Sequence, residues 1–377
     1  MTTLVFDPQV EGHHLECLHN LYLGALRKPN HKFIFAVPSE FEKLRAQYEW
    51  PKAEHITFDL IDGLSALRLG SIYASAWRLS KVVRRLVEIH KVDSVFLIML
   101  LQVMPFLPFF LPRGVKASGI LYNIFLYETR FGQRIYEMLM CLIMSAHRGI
   151  ERVFVMNDQS AVDTFNRKFC TKTFAYITDP MQYIDIDKTE CIRSELNAKP
   201  TDKIFLHFGA MDRRKGTLEI LDAIGVAADD ELRNRIFVFA GRVESGMKTD
   251  FYEKLNSVAN KAHIVVFDKF CDTQFLFNLC RSCDYILMPY TQSYRSSGAI
   301  GYASLFGKPV LGPSSGLIGR LIEENNLGIT IDTIDGEHIA RGINELCNMH
   351  ISDDKLRKYA DTHTVEEFNS VVFSSYK

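Results

Sequence analysis

The chain has 377 residues, a length that exceeds one typical domain and suits two. Hydrophobic residues make up 47% of it and charged residues 24%, which is the balance of a globular protein with a sizeable buried core. The formal net charge of -1 argues against general nucleic-acid binding, so we expect no nucleic-acid partner.

The eight cysteines show no spacing typical of a disulfide framework, and the chain does not open with a signal peptide. Its first residues, "TTLVFD", indicate a buried strand that runs into a loop. Together these features predict a protein of the reducing cytoplasm. Cys280 and Cys283 form a lone C-x-x-C late in a predicted helix, and we interpret them as buried packing thiols.

Strand-like and helix-like segments alternate along the chain. The apolar runs that indicate strands are, in order, "TLVFD", "KFIFAVP", "SVFLIML", "ASGILYNI", "RVFVMN", "KIFLHFG", "IFVFAGRV", "HIVVFDKF" and "DYILMPY". Helical patterns between them include "SIYASAWRLSKVVRRLVEIHK", "QRIYEMLMCLIMSAHRG", "TLEILDAIGVAA", "KTDFYEKLNSVANK" and "DTQFLFNLCRSC". This alternation predicts an α/β fold with parallel sheets covered by helices on both sides.

Residues 95–112 are uncharged and about long enough to span a membrane. They also contain three prolines, which would break a single helix. We therefore expect a buried strand over 95–100 followed by an apolar loop. The alternative is a surface whose exposed Phe and Leu side chains dip into a membrane interface.

A polar stretch over residues 185–203 is the expected domain boundary, because Pro200 precedes a fresh strand. We predict an N-terminal Rossmann-like domain over 1–185 and a second Rossmann-like domain over 186–360. The amphipathic tail within 361–377 is expected to form a helix that packs back on the N-terminal domain.

The segment "HFGAMDRRKGTLEIL" is the first strand-to-helix turn with candidate binding residues. The strand ends at Gly209, and Arg213, Arg214 and Lys215 precede a helix that starts near Thr217. A helix N-terminus carries free N–H groups and partial positive charge, so cations beside it predict an anion site. A solvated basic turn is the alternative.

The segment "YTQSYRSSGAIGYASLFGKPVLG" is the second such turn. Arg295, Ser296, Ser297 and Gly298 lie where a strand ends and a short helix begins. Small residues allow close approach of a ligand to the backbone, although either serine could simply cap the helix. Two such turns in one domain favour a diphosphate-binding site at the carboxyl edge of its sheet.

A third turn follows the first strand. Gly12 permits close backbone approach, and His13 and His14 stand at the helix start. No carboxylate or cysteine completes a metal set at a recognisable spacing, so an acceptor or phosphate contact, or a plain surface turn, is expected instead.

Two further strand ends carry polar side chains. Arg242 ends a strand in "AGRVESG" and could line the same crevice as the two binding turns. Glu128 and Arg130 follow a strand of the first half and could equally form a surface ion pair. The chain has no D-x-D flanked by apolar strand residues that would suggest a metal-bridged diphosphate, and no G-x-x-x-x-G-K-[ST] loop for nucleotide hydrolysis, so no metal site is predicted.

The second half resembles the family 4-like retaining glycosyltransferases with the two-Rossmann GT-B fold. The order of elements is similar over about residues 200–335. The segment "FGAMDRRKGTLEIL" resembles the family's G-R-x-x-x-x-K-G pattern, and "SYRSSGAIGYASLFGKPVLG" resembles its run through two glutamates to G-x-P-V. The resemblance implies two domains whose parallel sheets face a central cleft.

The matched positions also show departures from the family. Gly209 matches the first glycine and Lys215 the phosphate lysine, but Ala210 stands where relatives carry arginine. Tyr294 and Tyr302 stand at the two glutamate positions, which in relatives contact the donor sugar and the nucleotide ribose. Arg295, or one of the arginines beside Lys215, could supply the missing guanidinium, which binds a diphosphate through two hydrogen bonds.

The resemblance implies transfer of a sugar from a nucleotide diphosphate sugar to the hydroxyl of a saccharide or lipid-linked saccharide, with retention and without a metal or other cofactor. It suggests cell-surface polysaccharide or glycolipid synthesis at the cytoplasmic side of a membrane. Candidate proton acceptors are His13, His14 and Glu128. The alternatives are a non-catalytic nucleotide-sugar-binding or scaffold protein and a sugar-nucleotide epimerase of the same fold.

Overall fold

Both halves of the chain are built on parallel β-sheets flanked by helices. The structure, a computed structural model, describes residues 1–11, 13–122, 124–181 and 188–374. The chain divides into two units, one formed by Met1–Gln182 with Val365–Lys377 and the other by Tyr183–Thr364.

The first unit contains a seven-stranded sheet whose neighbours all pair in parallel, in the order β3-β2-β1-β4-β5-β6-β7. Its strands are β1 (Thr2–Phe6), β2 (Lys32–Pro38), β3 (Ile56–Ile61), β4 (Ser94–Leu97), β5 (Lys116–Leu121), β6 (Ile150–Met156) and β7 (Phe174–Ile177). Its helices are α1 (His13–Leu26), α2 (Phe41–Leu44), α3 (Ile72–His90), α4 (Leu107–Phe110), α5 (Phe131–Ala146) and α6 (Gln159–Lys168).

The second unit contains a six-stranded parallel sheet in the order β10-β9-β8-β11-β12-β13. Its strands are β8 (Lys203–Phe208), β9 (Arg235–Ala240), β10 (His263–Phe267), β11 (Tyr285–Leu287), β12 (Val310–Pro313) and β13 (Gly328–Ile331). Its helices are α7 (Thr217–Val226), α8 (Asp229–Leu232), α9 (Lys248–Val258), α10 (Thr273–Ser282), α11 (Gly298–Leu305), α12 (Gly316–Glu324), α13 (Gly336–Asn348) and α14 (Asp353–Thr362), and α15 (Val365–Val372) returns to the first unit.

These sheets confirm the predicted fold class of two Rossmann-like α/β units. Short apolar runs form the strands because both sides of each sheet are covered, as the fully buried middles of β2 and β8 illustrate. The expected strand within 95–112 ends at Leu97, and the following apolar segment contains the short helix α4 rather than only a loop. Within the described residues, no helix combines the length and apolar character needed to cross a membrane.

Helix α15 packs on the first unit, against α1 and β7. Phe368 is fully buried in that unit's apolar core. The Asn369 side chain donates a hydrogen bond to the Asn20 carbonyl oxygen at 2.9 Å, and an added Cβ at Gly24 would collide with Asn369 and Phe373. The small residue at position 24 therefore lets the tail helix approach α1 closely.

We expect the substitution Phe368→Ala to lower the free energy of unfolding of the first unit by about 3–5 kcal/mol, because it leaves a cavity in a closed core. Chemical denaturation measures this loss. The control is Ser370→Ala on the exposed side of the same helix, which should leave stability nearly unchanged. A loss at Phe368 below about 1 kcal/mol would show that α15 is not part of the core.

Candidate active site

The candidate donor site lies at the carboxyl edge of the second sheet. From β8 the chain runs outward through β9 and β10, then returns to the other side of β8 with β11. This reversal leaves a crevice beyond the ends of β8 and β11, which is where open parallel sheets bind ligands. Both predicted binding turns follow these two strands.

Two glycines with positive φ bring the loops at this edge into backbone contact. Gly216, with φ of 69°, precedes α7, and an added Cβ would collide with the carbonyl oxygen of Pro289 after β11. Gly241, with φ of 145°, follows β9, and an added Cβ would collide with the carbonyl oxygen of Gly209 after β8. The loops after β8, β9 and β11 therefore form one tightly packed rim.

Lys215 is the cation that hydrogen bonds hold directly at this rim. Its backbone N–H donates to Asp212 Oδ1 at 3.0 Å, which caps the turn before α7. Its Nζ donates to the carbonyl oxygen of Phe208 at 3.2 Å and occupies the space beside Gly209 where a side chain would stand. The half-buried ammonium group also lies 5.5 Å from the ring centroid of Tyr290.

The two neighbouring arginines pair with carboxylates. Arg213 is exposed and forms an ion pair with Asp250 of α9. Arg214 lies 3.3 Å from an oxygen of Asp212, and its guanidinium is 5.7 Å from the Tyr290 ring centroid. Of the three cations in this turn, Arg213 is therefore the one held away toward α9.

The second binding turn meets the first at Tyr290. Ser297 caps α11, since its hydroxyl accepts a hydrogen bond from the Ala299 N–H at 3.4 Å. The same hydroxyl lies 3.3 Å from the Tyr290 hydroxyl. Tyr290 is 2% exposed and contacts both Lys215 and Ser297, so one tyrosine joins the two turns. Tyr290 ends the apolar run "DYILMPY", and no sequence pattern marks it as a site residue.

The other predicted donor residues surround this pair of turns. Arg295 is exposed, with its guanidinium 5.5 Å from the Tyr294 ring centroid, and Tyr294 donates a hydrogen bond to Gln292 at 3.0 Å. Ser296 is half-buried, and Gly298 is the exposed first residue of α11. Arg242 is exposed after β9, and its carbonyl oxygen accepts from the Met211 N–H at 2.9 Å.

Tyr302 packs within a cluster of aromatic rings. Its ring centroid lies 5.7 Å from that of Phe208 and 5.4 Å from that of Phe277. At a position where relatives carry a carboxylate, this chain therefore has a half-buried aromatic ring with apolar neighbours.

A buried histidine, which the sequence patterns did not single out, links the strands and the helix that carry the donor edge. His207 donates from Nδ1 to the Leu287 carbonyl oxygen at 2.9 Å and accepts at Nε2 from the Thr217 hydroxyl at 3.0 Å. These bonds tie β8 to β11 and to the start of α7. Burial lowers the pKa of His207 to about 4, and the positive charge of Lys215 contributes to the shift, so the imidazole is neutral at pH 7.

The first unit has its own polar cluster at the carboxyl edge, at the reversal between β1 and β4. His14 Nδ1 lies 2.7 Å from Oδ2 of Asp7, a fully buried carboxylate that directly follows β1. Burial raises the pKa of Asp7, and the hydrogen bond from His14 opposes that rise. A proton held on Nδ1 leaves Nε2 as an acceptor, which is the arrangement of an oriented general base. Asp7 was absent from the predicted site.

His13 and Glu16 lie in the first turn of α1. The ring of His13 is 5.2 Å from the Tyr122 ring, centroid to centroid. His13 is exposed in part to solvent, but the surrounding protein displaces much of its water, and this desolvation lowers its pKa. The negative charge of Asp179 acts in the opposite direction and raises it. Desolvation raises the pKa of the half-buried Glu16 to about 7, and Asp179 adds to the rise. Gly12 lies outside the described residues.

Glu128 is buried and held by its neighbour Arg130. Its Oε1 accepts from the backbone N–H of Arg130 at 2.9 Å and from Nε at 3.0 Å, while Oε2 accepts from Nη2 at 2.8 Å. These bonds lower the pKa of Glu128 to about 2. A carboxylate with so low a pKa is a weak proton acceptor, so the geometry favours the histidines for that role.

The described His, Cys, Asp and Glu side chains do not gather into a metal site. In residues 1–11, 13–122, 124–181 and 188–374, no group of three His, Cys, Asp or Glu side chains is placed to hold a metal ion. Cys280 and Cys283 are buried, and burial raises the pKa of Cys283 to about 12, as expected for packing thiols.

The second unit matches a known protein family. The family described as glycosyl transferases group 1 matches residues 188–363, a range that contains both binding turns and the edge they form. The second unit therefore carries a group 1 glycosyltransferase domain, and the chain is a glycosyltransferase. This confirms the predicted resemblance to family 4-like enzymes and the predicted enzyme class. No curated protein matches the chain in sequence.

Solved glycosyltransferases share the fold of this enzyme over its full length. HepE of Anabaena, solved in complex with UDP and glucose, is 16% identical with a TM-score of 0.68, and the match covers 100% of this chain and 99% of that one. WaaG, a glycosyltransferase involved in lipopolysaccharide biosynthesis, is 15% identical with a TM-score of 0.69, covering 99% and 98%. At these identities the likeness shows the GT-B fold alone.

Fold does not separate transferases from epimerases. A Listeria monocytogenes structure assigned as a UDP-N-acetylglucosamine 2-epimerase is 12% identical with a TM-score of 0.65, and the match covers 99% of this chain and 95% of that one. The family match over residues 188–363 is what assigns this chain to the transferases.

We expect His207 to make the stability of this glycosyltransferase depend on pH. Its pKa is about 4 when folded, below the ordinary value of 6.5, so below pH 6.5 the unfolded chain takes up the proton first. The contribution of His207 to the free energy of unfolding should fall by on the order of 3 kcal/mol between about pH 6.5 and pH 4, and then level off.

The measurement is denaturant unfolding across that pH range. His207→Gln keeps a donor and an acceptor without titrating, so the free energy of unfolding of the wild-type protein relative to that of this variant should fall from about pH 6.5 to pH 4. The matched control is His263→Gln at an exposed position of the same sheet. Identical slopes for the wild-type protein and His207→Gln would contradict a neutral buried imidazole.

Proposed function

We propose that this glycosyltransferase transfers a sugar from a nucleotide diphosphate sugar to an acceptor hydroxyl, and that the diphosphate binds between Lys215 and the N-terminus of α11. The observation that carries the proposal is the meeting of both binding turns at Tyr290, which contacts Lys215 and Ser297. The complexes of HepE with UDP, with UDP-glucose, and with UDP and glucose support a uridine diphosphate sugar as the donor class.

The chemistry of the leaving group explains why these residues suit the reaction. Departure of the sugar leaves a nucleoside diphosphate whose negative charge grows in the transition state. The ammonium group of Lys215 and the first N–H groups of α11, near Gly298, are preorganised donors for such charge. Arg295, exposed at the mouth of the second turn, supplies a guanidinium in place of the arginine that relatives carry at position 210.

The remaining donor residues would surround the nucleotide and the sugar. In our proposal, Gly209 and Arg242 line the rim beside the diphosphate, and Tyr294 contacts the donor sugar through its hydroxyl. Tyr302 offers a ring edge to the nucleotide from within its aromatic cluster. The two tyrosines are neutral, so binding of ribose or sugar hydroxyls here would depend less on charge than in relatives with two glutamates.

The proposed proton acceptor is His14, oriented by Asp7. In this proposal the proton of His14 lies on Nδ1, 2.7 Å from Asp7 Oδ2, and Nε2 accepts the proton of an acceptor hydroxyl. His13 and Glu16, in the same turn of α1, would bind acceptor hydroxyls.

We further propose retention of the anomeric configuration, independence from a metal, and a role in cytoplasmic synthesis of a cell-surface polysaccharide or glycolipid. The resemblance to retaining enzymes supports retention, and the role of WaaG in lipopolysaccharide biosynthesis supports the acceptor class. The cations of the donor edge would take over the role that a divalent ion plays in metal-dependent transferases.

We expect Lys215→Met and Arg295→Ala each to raise the donor KM or lower kcat by about tenfold or more, the scale of a lost charged hydrogen bond. Steady-state kinetics with UDP-sugars and calorimetric titration with UDP measure both effects. The matched control is Lys261→Met, a lysine whose ammonium group donates to the Gly225 carbonyl oxygen at 2.6 Å, on a different loop.

Two observations on the same reactions complete this test. EDTA should leave the rate unchanged, and the anomeric configuration of the product, measured by NMR, should match that of the donor. Unchanged kinetics in both cation variants would contradict the diphosphate site. Binding of nucleotide without turnover across a broad acceptor panel would contradict the transfer reaction.

We expect His14→Ala to lower kcat by about a hundredfold or more with little change in donor affinity, because a general base acts on the chemical step. Asp7→Asn should lower kcat by a smaller factor than His14→Ala does, since the imidazole remains but the carboxylate no longer orients it. The control is Glu11→Gln, an exposed side chain of the same loop. A wild-type kcat in His14→Ala, with the fold intact by circular dichroism, would exclude the dyad as the base.

A further inference from the structure

Helix α5 of the first unit exposes an apolar stripe. Phe131 is 78% exposed, Ile135 37%, Leu139 45% and Leu142 47%. Their intervals of four, four and three residues place them on one side of the helix. A helix that covers a sheet ordinarily turns a polar side to water, so a contiguous stripe of large apolar side chains marks a binding surface.

The side of α5 opposite the stripe packs on the unit, so the exposed stripe is a second apolar side of the helix. Met140, Cys141 and Met144 are buried against the unit. Glu137, the one acid in the α5 sequence, is also buried and accepts a hydrogen bond from Gln133 at 2.7 Å. The helix therefore has one apolar side that the unit covers and a second apolar side that it leaves to another partner.

The charges around the stripe are basic. Arg134 is exposed within α5, and Arg148 is exposed just beyond its end. Arg130, exposed at the N-cap, pairs with the buried Glu128. With the only acid of α5 buried, the helix and its two flanks present apolar side chains and arginines to their surroundings, which complements a surface that combines hydrocarbon with negative charge.

Neighbouring elements extend this surface with aromatic side chains. Phe109 of α4 is 71% exposed, and its ring lies 5.2 Å from the ring of His147 at the end of α5. On α3, the exposed Tyr73 contacts the ring of Tyr136 at 5.9 Å between centroids. The exposed Trp77 ring carries Lys81 Nζ at 3.6 Å. Aromatic rings beside basic groups are typical of side chains at a membrane–water interface.

We propose that the α5 face, formed by Phe131, Ile135, Leu139 and Leu142 with Phe109 beside it, inserts into the interface of a membrane that contains anionic lipids. The chain would thereby bind the membrane peripherally through its first unit. This inference goes beyond donor binding and does not depend on it. Of residues 95–112, only the part around Phe109 contributes to the surface.

A second copy of the chain is the other occupant with suitable chemistry, and the charges disfavour it. In a two-fold pair of α5 helices, Arg134 of one copy would approach Arg134 or Arg148 of the other, whichever way the helices run. An anionic lipid surface instead meets the same arginines with opposite charge.

The test is flotation of the full chain with phosphatidylcholine vesicles, with and without phosphatidylglycerol. The wild-type chain should bind the vesicles that contain phosphatidylglycerol, and high salt should weaken this binding. The double variant Leu139→Gln/Leu142→Gln should bind about tenfold or more weakly, because it removes two inserted side chains. Ile89→Gln, which changes a 58% exposed side chain at the far end of α3, is the matched control.

Each further outcome has a clear meaning. Wild-type vesicle binding by the double variant, or no binding by the wild-type chain, would overturn the proposal. A wild-type dimer that the double variant dissociates, without vesicle binding, would assign the α5 face to a second copy instead. UDP affinity and transfer to a water-soluble acceptor should be unchanged in the double variant, so a failure of the membrane proposal remains distinct from a failure of the donor site.

Discussion

Backbone contact between the loops after β8, β9 and β11 is the constraint on which the donor edge depends. Gly216 and Gly241 permit this contact because each adopts a positive φ and each leaves room for a carbonyl oxygen where any other residue would place a Cβ. The start of α7 is thereby held against the loop after β11, and Tyr290 of that loop contacts both Lys215 and the cap of α11. These contacts convert two ordinary strand-to-helix turns into one candidate anion site.

Side chains then give this rim its chemistry. His207 is buried, and because burial lowers its pKa it remains neutral. Its hydrogen bonds therefore join β8, β11 and α7 without adding charge. The positive charge of this rim lies at Lys215. Tyr290 contacts the ammonium group of Lys215 with its ring and the α11 cap residue Ser297 with its hydroxyl. The tyrosines at the family's acidic positions leave this edge without the two carboxylates, so cations and helix dipoles dominate its electrostatics.

Much of this architecture could be predicted from the sequence, because uniformly apolar runs report strands that are buried on both sides. The pattern does not identify β3, where Asp59 interrupts the run and lies 2.7 Å from His90, nor the short strands β7 and β13. The turn that carries Lys215 and the cap at Ser297 could be located because strand-to-helix junctions have recognisable residues.

Contacts between distant segments could not be predicted from the sequence. Tyr290 matters because its ring meets Lys215, 75 positions away in the chain, and no local pattern reports that proximity. The pairing of His14 with Asp7 and the low pKa of Glu128 also depend on side-chain geometry. The apolar stripe of α5 was visible only as part of a helical pattern, since the sequence does not reveal which side of the helix is covered.

A crystal structure of the chain with a bound UDP-sugar tests the central claim most directly. We expect the diphosphate oxygens within hydrogen-bonding distance of Lys215 Nζ and of the first N–H groups of α11, with Arg295 turned toward them. A diphosphate bound away from both Lys215 and α11 would contradict the account of the donor edge.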